Sequence, residues 1–508
     1  MKPTLVLVAV LYSLSLFAQS KVFENVIDIE LKQTVEIINN NQIVGYAFFY
    51  KIDNMRKSSL YRLLILDENL KQIGSSEFEG AKELYLNKAI YESNQILLSF
   101  NDYTKKDGYE RFVKIFDLKG KELGNIAYDP EKTKKGMFSA AIASQMESYY
   151  EGLENVEGKG FVSVNQSKAK TGGADIQMFA LGGTLKWEKN ITADKGNRID
   201  LYLLASTPNA ILFFEMDRSG IMSRDAAIFL VALSTESGAE LYKKSMDIKG
   251  IAYEPMLIKS GTDGKLKILS TMSNVEDKFL SAKPIGFSIG EFNDLTGEII
   301  TLKDFNYLKD LGTVLSMKNE SKSEEGYIKA HNICLMKDGS MVLVGEFFRK
   351  TVSAFGMATK ILFMGNGSAA QATIGDMFLL RIDKNLQAKS IDIIEKEKQR
   401  IELPTDGIAI GLACRILTLE HRFGYMYTDE GLEGKKKTVL VKGAFNEKKW
   451  GTFAITFDEK KGFTQKQFDF EKEKKVSYYI SRGKPGYIMI SKYNAKQKSM
   501  TVNLEKVY

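Results

Sequence analysis

The stretch Arg111-Phe112-Val113-Lys114-Ile115-Phe116-Asp117-Leu118-Lys119-Gly120 contains the pattern that decides the fold. Its first six residues are rich in the aromatic and β-branched side chains that favour a strand. Asp117 and Gly120 then favour a tight turn, because an aspartate side chain accepts hydrogen bonds from nearby backbone amides and glycine tolerates positive φ. A second strand-like run, residues 122–128, follows at once, so the stretch predicts a β-hairpin.

Working outward, two more strand-like runs precede this hairpin, at residues 83–91 and 95–100. The strand-and-turn pattern recurs along the chain, with turns that end at Asn69, Gly120, Gly183, Gly238, Gly297, Asn385, Gly462 and Lys506. Four antiparallel strands repeated about every 50 to 60 residues are typical of a β-propeller blade. The sequence therefore predicts an all-β fold, a single β-propeller with eight four-stranded blades, with seven blades as the alternative.

The two ends of the chain complement each other. The eighth unit stops at Tyr508, soon after its third strand, and the strand-like run at residues 27–31 (Ile-Asp-Ile-Glu-Leu) has no partner in its own unit. Both this run and the final strand, with Met500 and Val502, alternate apolar and polar residues. Pairing them would close the ring and remove two open edges, which otherwise invite aggregation. We therefore predict closure by residues 27–31.

The first residues have the features of a secretory signal peptide. Lys2 precedes an apolar run at residues 5–17 that is too short to span a bilayer, which takes roughly 20 residues. Cleavage after Ala18 or after Ser20 would fit the small residues there. We expect a signal peptide at 1–20, one propeller domain at 21–508, no transmembrane segment, and a periplasmic or extracellular location.

These features resemble a known group of proteins. A short leader that ends in Phe17-Ala18-Gln19, followed by units with Asp-x-x-Gly-like turns, resembles the uncharacterised secreted β-propeller proteins of Bacteroidota, which carry a domain of unknown function. The resemblance covers the whole chain and implies a propeller fold and an envelope or extracellular location. It implies no activity. No sorting domain follows the last strand, which favours periplasmic residence or unanchored secretion.

The formal charge of +7 comes from lysines and arginines spread along all 508 residues. A nucleic-acid binder would concentrate such charge on one stripe, so we expect no nucleic-acid partner. Cys334 and Cys414 could pair with each other or remain two buried thiols. A zinc site needs three or four ligands at compatible spacing, and His331, His421 and the two cysteines do not provide such a spacing. We predict no metal site and no cofactor.

Catalytic motifs are not apparent. There is no Gly-x-Ser-x-Gly nucleophile elbow, and each Asp turn offers only one or two carboxylates where calcium takes about six to eight oxygens. Acidic residues on different blades could still form a carboxylate pair, because spacing in sequence does not report distance across a propeller. We assign no catalytic residue.

The sixth unit contains the most informative irregularity, an insertion of about thirty residues between residues 344–346 and the strand at 377–382. Loops of this length are usually functional or disordered, and this one is too apolar for disorder. Its candidate docking residues are Phe355, Met357, Leu362, Phe363 and Met364. The alternative is that they pack on their own blade. A second irregular stretch, residues 136–158, could act similarly.

Two functions follow as predictions. The first is an exported, non-catalytic binding or scaffolding protein of the cell envelope, a monomer with a protein or glycan partner. The alternative is an extracellular polysaccharide hydrolase or lyase that uses carboxylates at the channel mouth. An exposed apolar patch would favour the binder, and converging acidic side chains in one funnel would favour the enzyme.

Overall fold

The fold was analysed in a computed structural model. It describes residues 19–507 except 28–33, 40–41, 83, 103–109, 128–151, 167–170, 221–222, 224, 261–264, 278–281, 314, 337, 353–369, 396–398, 404–424, 429–435, 447–448, 459–462 and 471–472. These residues form an all-β fold of eight antiparallel sheets. The prediction of the fold class is confirmed at this level.

Sheets 1 to 4 each contain four strands that pair in chain order. Their bounds are β2 (Thr34–Asn39), β3 (Gln42–Asn54), β4 (Ser59–Asp67) and β5 (Gln72–Gly80) in sheet 1; β6 (Leu84–Glu92), β7 (Gln95–Asp102), β8 (Glu110–Asp117) and β9 (Glu122–Ala127) in sheet 2; β10 (Gly152–Val156), β11 (Gly160–Gln166), β12 (Ala174–Ala180) and β13 (Leu185–Ile191) in sheet 3; and β14 (Arg198–Ser206), β15 (Ala210–Arg218), β16 (Ala227–Ser234) and β17 (Glu240–Ser245) in sheet 4.

Sheets 5 and 6 follow the same plan with additional strands, and sheet 7 again contains four. Their bounds are β18 (Asp247–Ile248), β19 (Ile251–Ser260), β20 (Leu266–Asn274), β21 (Gly286–Phe292) and β22 (Ile299–Asn306) in sheet 5; β23 (Met317–Asn319), β24 (Lys322–Ser323), β25 (Tyr327–Leu335), β26 (Met341–Val352), β27 (Ala370–Ile382), β28 (Ala388–Ile394) and β29 (Gln399–Leu403) in sheet 6; and β30 (Tyr425–Thr428), β31 (Lys436–Asn446), β32 (Lys449–Asp458) and β33 (Phe463–Asp469) in sheet 7. A short helix, α1 (Tyr307–Leu311), joins sheets 5 and 6.

Sheet 8 joins the two ends of the chain. It comprises β34 (Val476–Arg482), β35 (Tyr487–Asn494), β36 (Ser499–Lys506) and the N-terminal strand β1 (Gln19–Phe23), which pairs with β36 from Gln19↔Leu504 to Phe23↔Met500. An N-terminal strand therefore completes the last sheet, but the prediction that residues 27–31 do so is wrong. Ile27 follows β1 outside any strand, and residues 28–31 lie outside the described part. Gln19 and Ser20, predicted as the end of the leader, belong to β1.

The core lies between sheets that are neighbours in the sequence. Apolar clusters join sheets 1 and 2, 2 and 3, 3 and 4, 4 and 5, and 5 and 6; smaller ones join sheets 6 and 7, and 7 and 8. A further cluster joins sheet 8 to sheet 1, where Phe23 and Met500 pack beside Phe48 and Leu70. The alternation predicted for the final strand is confirmed, since Met500, Val502 and Leu504 are all buried. Each sheet thus buries apolar side chains against the next one in the chain, and the last against the first.

Candidate functional site

The recurrent Asp turns use their carboxylates on their own backbone. Oδ1 of Asp67 accepts hydrogen bonds from the amides of Asn69 and Lys71, at 2.9 and 2.8 Å. Asp117 and Asp383 accept the equivalent pairs of bonds in sheets 2 and 6. This is the turn chemistry expected from the sequence, and it accounts for the recurrence of aspartate at this position.

The same turns also hold neighbouring sheets together. The turn of sheet 2 lies on sheet 1, where the amide of Ser75 donates to the carbonyl of Lys119 at 3.3 Å. The turn of sheet 3 lies on sheet 2, through the bond from the amide of Gly182 to Oε1 of Gln95 at 2.7 Å. We call this arrangement the turn interlock: the turn between the last two strands of one sheet binds the preceding sheet.

Two further junctions repeat the turn interlock with side chains. Trp187 of sheet 3 donates from Nε1 to the carbonyl of Thr235 in the turn of sheet 4, at 3.0 Å. Thr207 of sheet 4 donates from Oγ1 to Oδ2 of Asp294 in the turn of sheet 5, at 2.7 Å. The recurrent turns are therefore structural elements of the junctions.

Lysine side chains that reach the next sheet make a second set of junction contacts. Lys88 of β6 donates from Nζ to the carbonyl of Leu153 in β10, at 2.7 Å, and lies 3.2 Å from Oε1 of Glu154. Lys259 of β19 donates to the carbonyl of Ile333 in β25, at 3.0 Å. Each lysine binds a strand of the next sheet, so these side chains also link neighbouring sheets.

Glu36 on β2 has an unusual environment. Desolvation raises the pKa of its carboxyl, and the nearby Arg482 guanidinium at the end of β34 opposes that rise. The residue nevertheless keeps part of its surface open to solvent. The pair places a carboxyl of sheet 1 beside a guanidinium of sheet 8.

Sheet 4 carries a buried ion-pair cluster near the end of β15. Asp200 and Arg218 are 5% and 4% exposed. Oδ2 of Asp200 accepts from Nε of Arg218 at 3.0 Å, and Oδ1 accepts from Nε of Arg198 at 2.7 Å. One carboxylate thus pairs with two guanidinium groups, and each pairing stabilises a charge that would be costly to bury alone.

The opposite face of the same sheet end carries a second cluster, of Glu215, Asp217 and Lys243. Nζ of Lys243 donates to both carboxylates, at 2.9 Å for Asp217, and lies 4.3 Å from the ring centroid of Phe229. Burial raises the pKa of Glu215 to about 7, with the Asp217 charge adding to the rise and Lys243 opposing it. A carboxyl with a pKa near neutrality can donate or accept a proton at physiological pH.

Neither cluster was found by sequence reasoning. β15 reads Ala-Ile-Leu-Phe-Phe-Glu-Met-Asp-Arg, a buried apolar strand that ends in three charged residues among four. That change of composition within one strand is the signal that could have indicated them. The partner Lys243 is 28 positions from Glu215 in the chain, and no local pattern connects the two.

Sheet 6 departs from the common plan through a long extension. β26 and β27 continue past an irregularity at Glu346 and Phe348, and residues 348–352 pair with residues 370–374. β29 pairs with the same stretch of β27, whereas β28 pairs with residues 377–382. We call residues 348–352, 370–374 and 399–403 the arm. Arg349 binds its base through hydrogen bonds to the carbonyls of Glu324 and Glu325, at 2.8 and 3.0 Å.

Most residues singled out in the sequence lie outside the described part. The candidate docking residues Phe355, Met357, Leu362, Phe363 and Met364 fall within 353–369 and follow the arm directly. Residues 136–151 of the second irregular stretch, together with Cys414 and His421, are also outside it, whereas residues 152–156 form β10. Cys334 is buried in β25.

Two surveys of the described residues are negative. Among them, no three His, Cys, Asp or Glu side chains come together as metal ligands would. No helix in the part of the chain that the structure covers is long and apolar enough to cross a membrane.

Solved structures similar to this chain have low sequence identity. Prolyl oligopeptidase B from Galerina marginata matches with 8% identity and a TM-score of 0.41, covering 94% of this chain and 55% of its own. TolB from Acinetobacter baumannii matches with 13% identity and a TM-score of 0.26, covering 81% and 80%. Bacillus subtilis levansucrase matches with 9% identity and a TM-score of 0.27, covering 62% and 85%. The chain spans about half the length of the oligopeptidase it matches.

Sequence comparison gives a family without an assigned activity. No curated protein matches the chain. A family model covers residues 1–508 in full, and the chain therefore belongs to DUF6770, a family of unknown function.

Proposed function

We propose that this protein is an exported, non-catalytic binding protein of the cell envelope, built as one closed propeller of eight blades. The closure is supported by the apolar clusters, which link each sheet to the next and the last to the first. The turn interlock supports it as well, because the turn of sheet 1 binds sheet 8 as the turn of sheet 2 binds sheet 1. First strands of neighbouring sheets also touch, as β2 touches β6 and β6 touches β10.

The observation that carries the binding proposal is the arm of sheet 6. The junctions of the fold are made by the common strands and turns, and the arm adds backbone pairing beyond them. Arg349 fixes its base to the loop before β25. A paired three-stranded support ordered by such contacts is a rigid base on which a recognition loop can be presented, as binding loops on rigid scaffolds usually are.

The composition of residues 353–369, which connect the arm strands in the sequence, favours a protein partner. Residues 353–369 include Phe355, Met357, Leu362, Phe363 and Met364. Aromatic and methionine side chains are enriched in the cores of protein interfaces, where they bury large apolar area. Glycan binding draws on polar groups that converge on hydroxyls and on aromatic rings that stack on sugars, whereas Met357, Leu362 and Met364 are aliphatic or thioether side chains, so we place the glycan partner second.

The experiment compares the exported chain with a loop-deleted variant. Val352 and Ala370 are paired across the hairpin, so residues 353–369 can be replaced by Asn-Gly, which closes a two-residue hairpin. Partners captured from envelope extracts are identified, purified and titrated against both proteins. We expect the variant to keep the parent's melting temperature and to lose at least about tenfold in affinity, which corresponds to 1.4 kcal/mol.

A matched control is Leu185→Ser. Leu185 is 45% exposed on β13, so this variant removes a surface apolar side chain without touching the arm. Equal loss of affinity in control and deletion would point to non-specific stickiness. Undiminished affinity of the deletion variant would refute the arm as the binding element, and capture only on a glycan array would move the proposal to a glycan partner.

A second candidate function is the polysaccharide hydrolase or lyase, which the cluster of Glu215, Asp217 and Lys243 favours. Burial raises the pKa of Glu215, which is 4% exposed, to about 7, in the range of a general acid, and Lys243 also binds Asp217, whose side chain is 33% exposed. A polysaccharide-degradation screen of the parent chain and of Glu215→Gln tests it. Activity that the substitution abolishes, with Glu240→Gln as an exposed control on the same sheet, would establish the enzyme.

A further inference from the structure

We infer that the exported precursor is cleaved between Ala18 and Gln19, so that the mature chain begins with the first residue of β1. The inference rests on the export part of the proposed function and is independent of the partner. Leader peptidases favour small residues at the first and third positions before the bond. The triplet Ala18-Gln19-Ser20 places that pattern before Lys21, whereas the bond after Ala18 has Leu16 at the third position. The pattern alone therefore favours the later bond, and the structure favours the earlier one.

β1 is fully used by the fold from its first residue. Its five residues pair one by one with β36, beginning at Gln19 opposite Leu504. The pairing supplies sheet 8 with its fourth strand and covers the edge of β36. Cleavage after Ser20 would remove two of these five pairs and expose that edge, which invites pairing with other chains.

The Gln19 side chain binds both sheets at the seam between sheet 8 and sheet 1. Its Nε2 donates to Oδ1 of Asn69 at 3.2 Å, and its Oε1 accepts from Nζ of Lys484 at 3.0 Å. Nζ of Lys484 also donates to Oδ1 of Asn69, at 2.6 Å. Three segments far apart in the chain therefore meet in one hydrogen-bonded triangle, and Gln19 supplies one corner.

This triangle repeats the turn interlock at the junction between sheet 8 and sheet 1. Asn69 lies in the turn of sheet 1, and Gln19 lies on the outer strand of the preceding sheet in the ring, as Trp187 does for Thr235. The fold therefore uses Gln19 in the same way as it uses internal residues elsewhere. Residue 19 therefore belongs to the mature protein, because cleavage after Ser20 would remove Gln19 and its hydrogen bonds at the seam.

The chemical step is hydrolysis of one peptide bond. A leader peptidase of the host directs water onto the carbonyl carbon of Ala18, the C–N bond to Gln19 breaks, and the nitrogen takes a proton. Ala18 leaves as the carboxylate end of the leader, and Gln19 keeps a free α-amino group. That amino group can later attack its own side-chain amide carbon and release ammonia, which closes a lactam ring, keeps the carbonyl oxygen that accepts from Lys484 and removes the Nε2 donor to Asn69.

The experiment produces the full precursor in an exporting host and determines the intact mass and the N-terminal sequence of the exported protein. Two variants sharpen it. Ser20→Leu changes an exposed position of β1 and leaves Ala18 before the bond, so we expect unchanged processing at Gln19. Ala18→Leu places a bulky side chain before the bond, and we expect most of the mature product to be lost.

The outcomes separate this inference from the proposed function. A mass that begins at Gln19, or that mass less one ammonia, supports it. A mass that begins at Lys21, or a block by Ser20→Leu, overturns the cleavage site and leaves export standing. Precursor that is exported unprocessed also overturns it, whereas precursor confined to the cytoplasm overturns both the site and export. Partner capture by the arm is read separately.

Discussion

Nζ of Lys484 in sheet 8 lies 2.6 Å from Oδ1 of Asn69 in the turn of sheet 1. These residues are 415 positions apart in the sequence, and their contact ties the last sheet to the first. Buried apolar side chains lie beneath it, including Leu70 of the same turn and Leu504 of β36. The polar contact at the surface and the apolar cluster below it form one seam between the chain ends.

Removing the polar contact at the seam should lower the stability of the fold only modestly. Lys484→Met keeps the aliphatic stem and removes the donor of two hydrogen bonds, to Asn69 and to Gln19. We expect a loss of about 1–2 kcal/mol in the free energy of unfolding, because one such bond is usually worth about 1 kcal/mol. Urea denaturation measures it. Lys57→Met, at an exposed site of sheet 1, is the control, and equal changes in the two variants would mean that the contact contributes nothing.

Truncating an apolar side chain of the seam should lower the stability of the fold more. Phe23 of β1 is 3% exposed, and its ring lies 5.1 Å from that of Phe48 and 6.1 Å from that of Tyr50. Phe23→Ala should lower the unfolding free energy by about 3–5 kcal/mol, as for buried aromatic residues. Its neighbour Val22 is 57% exposed on the other face, so Val22→Ala should cost under about 1 kcal/mol. Similar losses in both variants would contradict the pairing of β1.

The sequence was sufficient for the turns and insufficient for the closing strand. An Asp turn is a local structure, and Asp117 binds amides only two and four residues away. Alternation, by contrast, shows that a segment has one buried face and does not show which partner it meets. Residues 27–31 alternate, whereas β1 reads Gln-Ser-Lys-Val-Phe and does not, and the predicted leader boundary at Ser20 assigned its first two residues to the leader.

The charged clusters of sheet 4 likewise depend on partners that the sequence does not identify. Asp200 and Arg218 lie on different strands, as do Glu215 and Lys243, and each pair meets only when the sheet forms. Burial sets the pKa of Glu215, and burial depends on how sheets 3 and 4 pack. Composition at the end of β15 indicates where charge accumulates, but the pairing is a property of the folded chain.

The turn interlock predicts a steric effect at Gly238. Its φ is +68°, and a Cβ there would lie 2.8 Å from the ring of Trp187. Gly250 has a φ of +83° and no heavy atom within 4 Å of such a Cβ. Gly250→Ala therefore measures backbone strain alone, about 1–2 kcal/mol, and Gly238→Ala should destabilise more. Equal losses by thermal or urea unfolding would show that the Trp187 contact tolerates the methyl group.

The raised pKa of Glu215 predicts a pH dependence of stability. Its pKa is about 7 in the folded chain and near 4.3 in an unfolded one, so the folded state holds the proton more tightly. This contribution is fully present below the unfolded pKa and is lost as pH rises through 7. Relative to Glu215→Gln, the parent should lose stability between about pH 4 and pH 7. Glu240→Gln, at an exposed position of β17, should track the parent, and parallel curves for all three would exclude the effect.

The buried ion pair of Asp200 and Arg218 predicts that removing one partner destabilises the fold more than removing both. Asp200→Asn leaves the guanidinium groups of Arg198 and Arg218 beside a neutral amide, with Arg218 only 4% exposed. Breaking a buried pair in this way typically costs about 3–5 kcal/mol. The double variant Asp200→Leu/Arg218→Met removes both charges and keeps apolar volume, so it should recover much of that loss. Arg198 can turn its head group to solvent, because its side chain is 20% exposed. Urea unfolding of the three proteins at neutral pH measures the difference. A double variant no more stable than Asp200→Asn would show that the carboxylate organises the end of sheet 4 through contacts beyond charge balance.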